Sequence, residues 1–416
     1  MLMAVAGFIF LPLIARASNP AVYGNFSLFL VLFGALINLE VGRVLFTKLL
    51  HQESFTVLKP QISAELFWIN WINVVFVTSL GVALFWGFLG FEAAIGGGIV
   101  LFLYCASSVP FSLECLRGRT HFVLLIRNIA QFSAFGLVLV GYYTFGKNFP
   151  FWLPFVLTYS GLFICYWIWA PFQAPDQFRI KRKADFRAMI NDVLQIFWFN
   201  SFGIVLVAAD RAILRLYVPA AEFGQATAQA DLGIRLNVFV NAFGNFIYPI
   251  FVRRNDVDNN GKRNAPILLG LVVLHAIVLP MFILLQFFSD SIVSLFFGAN
   301  FLGDLNALPI ALAAVFLGAS SFVIVPWQRA RGDFHTSFYV NGINALVQLC
   351  LIFFLIPTVG FAGFLVTLLV GRLGAAYLFL QELYHHTSGG YRIVLMIGIM
   401  WMYTTVIWSG IGLSGF

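Results

Sequence analysis

The residues with chemistry in them are ionisable groups inside apolar stretches. Asp210, Arg211 and Arg215 close one such stretch, and Asp231 and Arg235 lie in the next, on either side of a turn running from Pro219 to Gly224. At about 1.5 Å per helical residue from that turn, Arg211 lies about 12 Å deep, Asp210 about 13 Å, Asp231 about 10 Å and Arg235 about 16 Å. If both stretches cross a membrane, all four share one slab of it. An ionised group there costs a few kcal/mol, so each needs a partner or a task. Arg211 and Arg215 are four residues apart on one helix face and repel unless an anion or carboxylates lie between them. Three Arg against two Asp leave one positive charge over, and planar guanidinium forks suit a phosphate or diphosphate. The blander arrangement also fits: Asp231 and Arg235, at i,i+4, satisfy each other, and Asp210 and Arg211 find helical neighbours.

Other polar residues extend the set. Arg16 follows the first apolar stretch and either faces the same cavity entrance or snorkels to the interface. Glu40 and Arg43, at i,i+3, are an interfacial ion pair or a gate. Asp210 and Glu40 are the carboxylates to test for coupling to H⁺ or Na⁺. Asn237, Asn241 and Asn245 form one polar stripe, and Asn341, Asn344 and Gln348 another, either bonding neighbouring helices or lining a wet cavity where amides hold sugar hydroxyls. Glu114, Arg127, Arg372 and Glu382 read as anchors near cytoplasmic ends.

The elements that position these groups follow from composition. Of 416 residues, 61% are hydrophobic and only 10% charged, against about a quarter charged in an ordinary soluble domain. The chain reads as an all-α polytopic membrane protein. Thirteen apolar runs are candidate spans, at about 2–18, 24–46, 66–90, 93–114, 121–146, 150–172, 193–217, 226–252, 265–288, 305–327, 336–357, 361–384 and 392–413. The first is short, so the count is twelve or thirteen and the true N-terminus is open. Arg43, Lys48 and Lys59, then Arg117 and Arg119, the run Arg179 to Arg187, Arg253 to Arg263, and Arg329 with Arg331 fall in alternate loops. By the positive-inside rule those loops and the N-terminus are cytoplasmic. Cys105, Cys115, Cys165 and Cys350 have no metal or disulfide spacing, and no GxxxxGK[ST] loop offers ATP-driven transport. Neither a metal nor a cofactor is expected. The net charge of +7 follows topology rather than nucleic-acid binding.

A repeated pattern in two turns points to an internal duplication of the spans, unless two loops that both need Pro and Gly to turn have converged. Arg16-Ala-Ser-Asn-Pro20-Ala21-Val-Tyr23-Gly24 matches Arg215-Leu-Tyr-Val-Pro219-Ala220-Ala-Glu-Phe223-Gly224 with one inserted residue, and each opens a block of six spans. The expected division is a six-helix bundle over 1–175, a basic cytoplasmic linker over 176–190, a second bundle over 191–386 and an additional helix over 387–416. Two such bundles around a central cavity suit alternating access.

The segments LPLIARASNPAVYGNFSLF, ADRAIL, FGQATAQADL, LFFGANF and TVGFAGFLVT, in that order, resemble the polysaccharide transporter family, O-antigen repeat-unit flippases of the Wzx type, within the multidrug/oligosaccharidyl-lipid/polysaccharide exporter superfamily. The resemblance covers nearly the whole chain. It implies two bundles around a cationic cavity and transfer of an undecaprenyl-diphosphate-linked oligosaccharide from the cytoplasmic to the periplasmic leaflet of a bacterial inner membrane. On that pattern Asp210 and Arg211 match the family's Asp-Arg pair and Arg16 its basic residue after span one. The expected partners are the lipid-linked oligosaccharide, membrane lipids, and a glycan polymerase with chain-length machinery. Three rivals remain: a drug/cation antiporter of the same superfamily, a membrane enzyme of the same glycan pathway, and a scaffold without transport activity.

Overall fold

The computed structural model describes residues 2–39, 64–108, 110–111, 120–173, 201–202, 208–235, 240, 265–303, 306–321, 324, 335–386 and 390–413. Among them every regular element is a helix. In chain order these are α1 (Leu2–Ala17), α2 (Pro20–Ile37), α3 (Ala64–Leu89), α4 (Phe91–Ala106), α5 (Thr120–Phe145), α6 (Leu153–Gln173), α7 (Asp210–Tyr217), α8 (Ala220–Arg235), α9 (Ala265–Phe287), α10 (Ser289–Phe297), α11 (Ala307–Gly318), α12 (His335–Val359), α13 (Phe361–His386) and α14 (Gly390–Leu413). All but α10 fall on expected spans. In lipid a backbone is satisfied within helices or in a closed barrel, and uniformly apolar runs of about 20 residues suit helices. Five described segments, Pro20–Ile37, Asn70–Leu89, His121–Phe145, Tyr339–Val359 and Phe361–Gln381, are long and apolar enough to cross a membrane.

The unexpected element is α10. The span ending near 288 continues, after a bend of 76° at Phe288, into a second helix. Ser289 and Asp290 start that helix, and Asn306 holds them by donating to Ser289 Oγ (3.0 Å) and to the Asp290 carboxylate. Leu295, 69% exposed, stands on the outer side of α10.

The chain forms two compact units, one of residues 25–208 and one of 3–24 with 209–416. Helix α1 thus packs with the later half of the chain, whereas internal repetition grouped it with 1–175. In the first unit the core is aromatic: Phe29 stacks on Phe85 at 5.2 Å, Phe33 meets Tyr104 at 5.6 Å, and Phe135 meets Phe155 at 5.8 Å. In the second, α11 is buried along its whole length, packed against α8, α9, α13 and α14. The hairpin of α12 and α13 turns at Gly360, whose φ of 58° suits glycine. It is tied by Asn344, which donates to Gly371 O at 2.9 Å and accepts from Gly374 N at 3.2 Å. That amide therefore joins helices.

Candidate functional site

The site lies in the unit of 3–24 and 209–416, where the two copies of the repeated turn meet. Each copy leaves two residues between helices, and the proline stands at the restart, where its fixed φ suits the first turn and its missing donor costs nothing. Asn19 caps α2 by accepting from Val22 N at 2.8 Å, while Phe223 N donates to Pro219 O at 2.9 Å in the second copy. The two glycines that end the motifs touch. A Cβ on Gly24 would lie 2.9 Å from Gly224 Cα, and one on Gly224 would lie 1.7 Å from the Pro20 carbonyl oxygen. Only glycine at both places lets the backbones come this close.

This contact sets α1, α7 and α8 side by side. A π-type turn at 208–209 leads into α7 and delivers Asp210 and Arg211, exposed by only 1% and 2%. The Asp210 carboxylate accepts from Arg211 N at 2.7 Å and lies within electrostatic reach of Arg372 on α13. Arg211 Nη1 donates to the Asp231 carboxylate of α8 in a buried ion pair. The pair therefore runs between helices and not along α8, for the equal depth of these residues brings α7 and α8 into register. Arg211 Nε is buried without a hydrogen-bond partner among the described residues, and so is Nε of Arg235.

Arg235, half-buried one turn beyond Asp231, reaches over α1. A Cβ on Gly7 would fall 1.9 Å from its Nη1, so the missing side chain at position 7 is the space the guanidinium occupies. Gly7, Leu11, Pro12, Asp231, Arg235 and Phe297 line a narrow crevice there. Tyr23, fully buried, closes one side: its ring stands edge-on to Phe297 and Phe301 at 5.9 and 5.6 Å, within electrostatic reach of Asp231, Arg235 and Arg211. No carboxylate among the described residues forms an ion pair with Arg235. The cluster joins three guanidinium groups, Arg211, Arg235 and Arg372, to two carboxylates.

The remaining expected residues are placed as follows. Arg215 turns away from Arg211 and lies over the Phe223 ring at 5.9 Å. Arg16, its counterpart in the first repeat, donates to the carbonyls of Leu295 and of Phe296 (3.2 Å), capping the negative end of α10. Glu40, Arg43, Asn237 and Asn241 lie outside the described residues, as does Asn245. Arg372, read from sequence as an interface anchor, belongs with the cluster. Its position eleven residues into α13 was the available signal, since that depth is no interface.

No family model matches the sequence, and no curated protein is similar to it. Among solved structures, the chain is similar to the lipid II flippase MurJ in an inward closed conformation, with 13% identity, a TM-score of 0.62 and coverage of 97% of this chain and 95% of that one. It is also similar to an inward-facing multidrug resistance MATE family transporter of the MOP superfamily, with 13% identity, a TM-score of 0.65 and coverage of 98% and 95%. A MATE structure in the bent conformation follows at 16% identity, a TM-score of 0.55 and coverage of 96% and 99%. The fold is thus similar to that of these solved transporters over nearly the full length of the chain.

Proposed function

We propose that the protein is an alternating-access flippase of a bacterial inner membrane, N-terminus cytoplasmic, that carries an undecaprenyl-diphosphate-linked oligosaccharide, an O-antigen repeat unit or similar glycan, from the cytoplasmic to the periplasmic leaflet. One observation carries this reading: Arg235, beside the buried Arg211–Asp231 pair, presents a guanidinium without a carboxylate partner among the described residues. A diphosphate ester supplies the missing charge and accepts from planar forks.

In this reading Asp231 holds Arg211 neutralised until substrate arrives. The diphosphate takes Arg235 first and then competes with Asp231 for Arg211. A proton or Na⁺ on Asp231 would release Arg211 to the substrate, which couples ion and lipid movement. Arg372 of α13 lies within electrostatic reach of Asp210 at the start of α7, so the Arg211–Asp231 pair is flanked by charge from a third helix. The lipid chain stays in the bilayer, and a polymerase with its chain-length partners receives the product. A drug/cation antiporter sharing this fold would need surplus acid in the cluster, where base is in surplus.

The test is deletion of the gene in its host, with leaflet-selective labelling of the lipid-linked repeat unit in membrane vesicles. Accumulation on the cytoplasmic face, reversed by the wild-type gene and not by Arg235→Gln, is the expected result. Unpolymerised units already on the periplasmic face would refute flipping and favour an enzyme of the same pathway.

A further inference from the structure

The helices that follow the two matching turns are connected differently. After the first turn, α3 and α4 are joined by Gly90 alone, whereas α9 and α11, which follow the second turn in the same order, are joined by residues 288–306. That longer connection carries α10 and, after Gly298 at φ 97°, a single turn of 3-10 helix at Ala299–Phe301. It is bonded to α8 and α11 on one side and to α1 on the other, by different means.

The bonds to α8 and α11 are buried. Gln229, 1% exposed, donates through Nε2 to Phe301 O at 2.8 Å and accepts through Oε1 from Ala307 N, where α11 begins. Gln225 donates to Asn300 O at 3.0 Å. Pulling the connection off α8 would leave the Gln229 amide and its two backbone partners buried without hydrogen bonds, which is the costly way to break a contact. The hold on α1 is of another kind. Arg16, an exposed side chain, donates to the carbonyls of Leu295 and Phe296 at the C-terminal end of α10, and water can take over both the guanidinium and the carbonyls when that contact opens. Tyr23 adds ring edges against Phe297 and Phe301. The connection therefore stays with α8 and α11 and can let go of α1.

Letting go bears on the charged cluster, because Phe297 of α10 lines the crevice beside Arg235 together with Gly7, Leu11 and Pro12 of α1. We propose that residues 289–303 are a latch. Anchored to α8 through Gln225 and Gln229, they clasp α1 through Arg16, and release of the clasp opens the crevice beside Arg235 to water and to a substrate group. The latch rests on the alternating-access reading, for which it supplies the part that yields. Arg16 is then a positioning residue that acts through α10, and it does not touch the diphosphate.

The experiment reads the latch without substrate. In the full chain in nanodiscs, with Cys105, Cys115, Cys165 and Cys350 replaced by alanine, Leu232→Cys puts a thiol on the crevice wall, where the native side chain is 4% exposed. Its alkylation by iodoacetamide, read at position 232 by mass spectrometry, should be slow and should rise about three-fold in Arg16→Gln, as fits one cation lost from a helix terminus. Leu312→Cys, fully buried in α11, should keep its rate. A reducible thiol linker about as long as an arginine side chain then ties chosen pairs. Linking Arg16→Cys to Leu295→Cys should stop both the alkylation and the flipping of lipid-linked oligosaccharide, and reduction should restore them. Linking Gln225→Cys to Asn300→Cys, on the anchored side, should leave both unchanged. Alkylation indifferent to Arg16→Gln, or equal effects of the two links, overturns the latch. If alkylation follows the links but neither linked nor free protein flips the oligosaccharide, the substrate reading fails and the latch stands.

Discussion

Gly224→Ala isolates the contact between the two repeated turns. The added methyl would lie 1.7 Å from the Pro20 carbonyl oxygen, 2.3 Å from its carbon and 3.0 Å from Pro20 Cα. These are backbone atoms at a helix start and cannot rotate aside. Ordinary contact needs roughly 3.4 Å, so α2 and α8 must separate by about 1.7 Å at their N-terminal ends. Overpacking of this kind costs about 1–3 kcal/mol, and a backbone obstacle belongs at the upper end. For a unit of this size that is a fall of about 5–10 °C in the unfolding midpoint. Gly34→Ala is the control, since nothing lies within 4 Å of the Cβ it would add, and replacing a helical glycine there should be neutral or slightly stabilising. Both variants are purified and melted under the same conditions. Equal midpoints for Gly224→Ala and Gly34→Ala would refute the close approach.

Gly7→Ala should behave differently, because its methyl meets the end of the Arg235 side chain, which can move. Stability is retained while transport of a lipid-linked oligosaccharide in reconstituted vesicles falls about ten-fold or more, since displaced groups lose oriented bonds steeply. Arg211→Ala should destabilise by about 3–5 kcal/mol by stranding the Asp231 carboxylate, and Arg211→Ala with Asp231→Ala should recover much of that in a melting experiment. Arg16→Gln should leave the global midpoint nearly unchanged and raise amide hydrogen exchange at the end of α10 by about three-fold, because one helix terminus loses its cation. Arg372→Gln should reduce transport without removing the Arg211–Asp231 pair, which a distance measurement between labels on α7 and α8 would check.

Most of the helical layout was legible because apolar runs of about 20 residues bounded by charge suit a spanning helix and are too long and too uniformly apolar for barrel strands. The α7–α8 cluster was legible by depth alone: residues equally far from a shared turn must be neighbours if both helices are straight. Depth could not say which carboxylate meets which guanidinium. Asp231 had Arg235 within its own helix and Arg211 across the turn, and the structure chooses Arg211 because Gly7 leaves Arg235 a place over α1. The bend into α10 was hidden, since Phe288-Ser289-Asp290 reads as the end of a span and nine residues are too few for periodicity to declare a helix. The task of Arg16 was hidden for a related reason, as its acceptors are carbonyls of that same helix. Asn344 shows the limit of polar stripes, for a lone amide series cannot distinguish a neighbour's backbone from a wet wall.

The glycines at 24 and 224 hold corresponding places in two turns of matching sequence, and they touch each other. A contact between equivalent positions has the form of a two-fold dimer interface, in which a patch recognises itself. A half-length chain bearing one such turn would therefore already possess the means of pairing with a second copy. Joining two halves in one gene would convert that meeting into an internal one, after which the two positions are bound to change together or not at all.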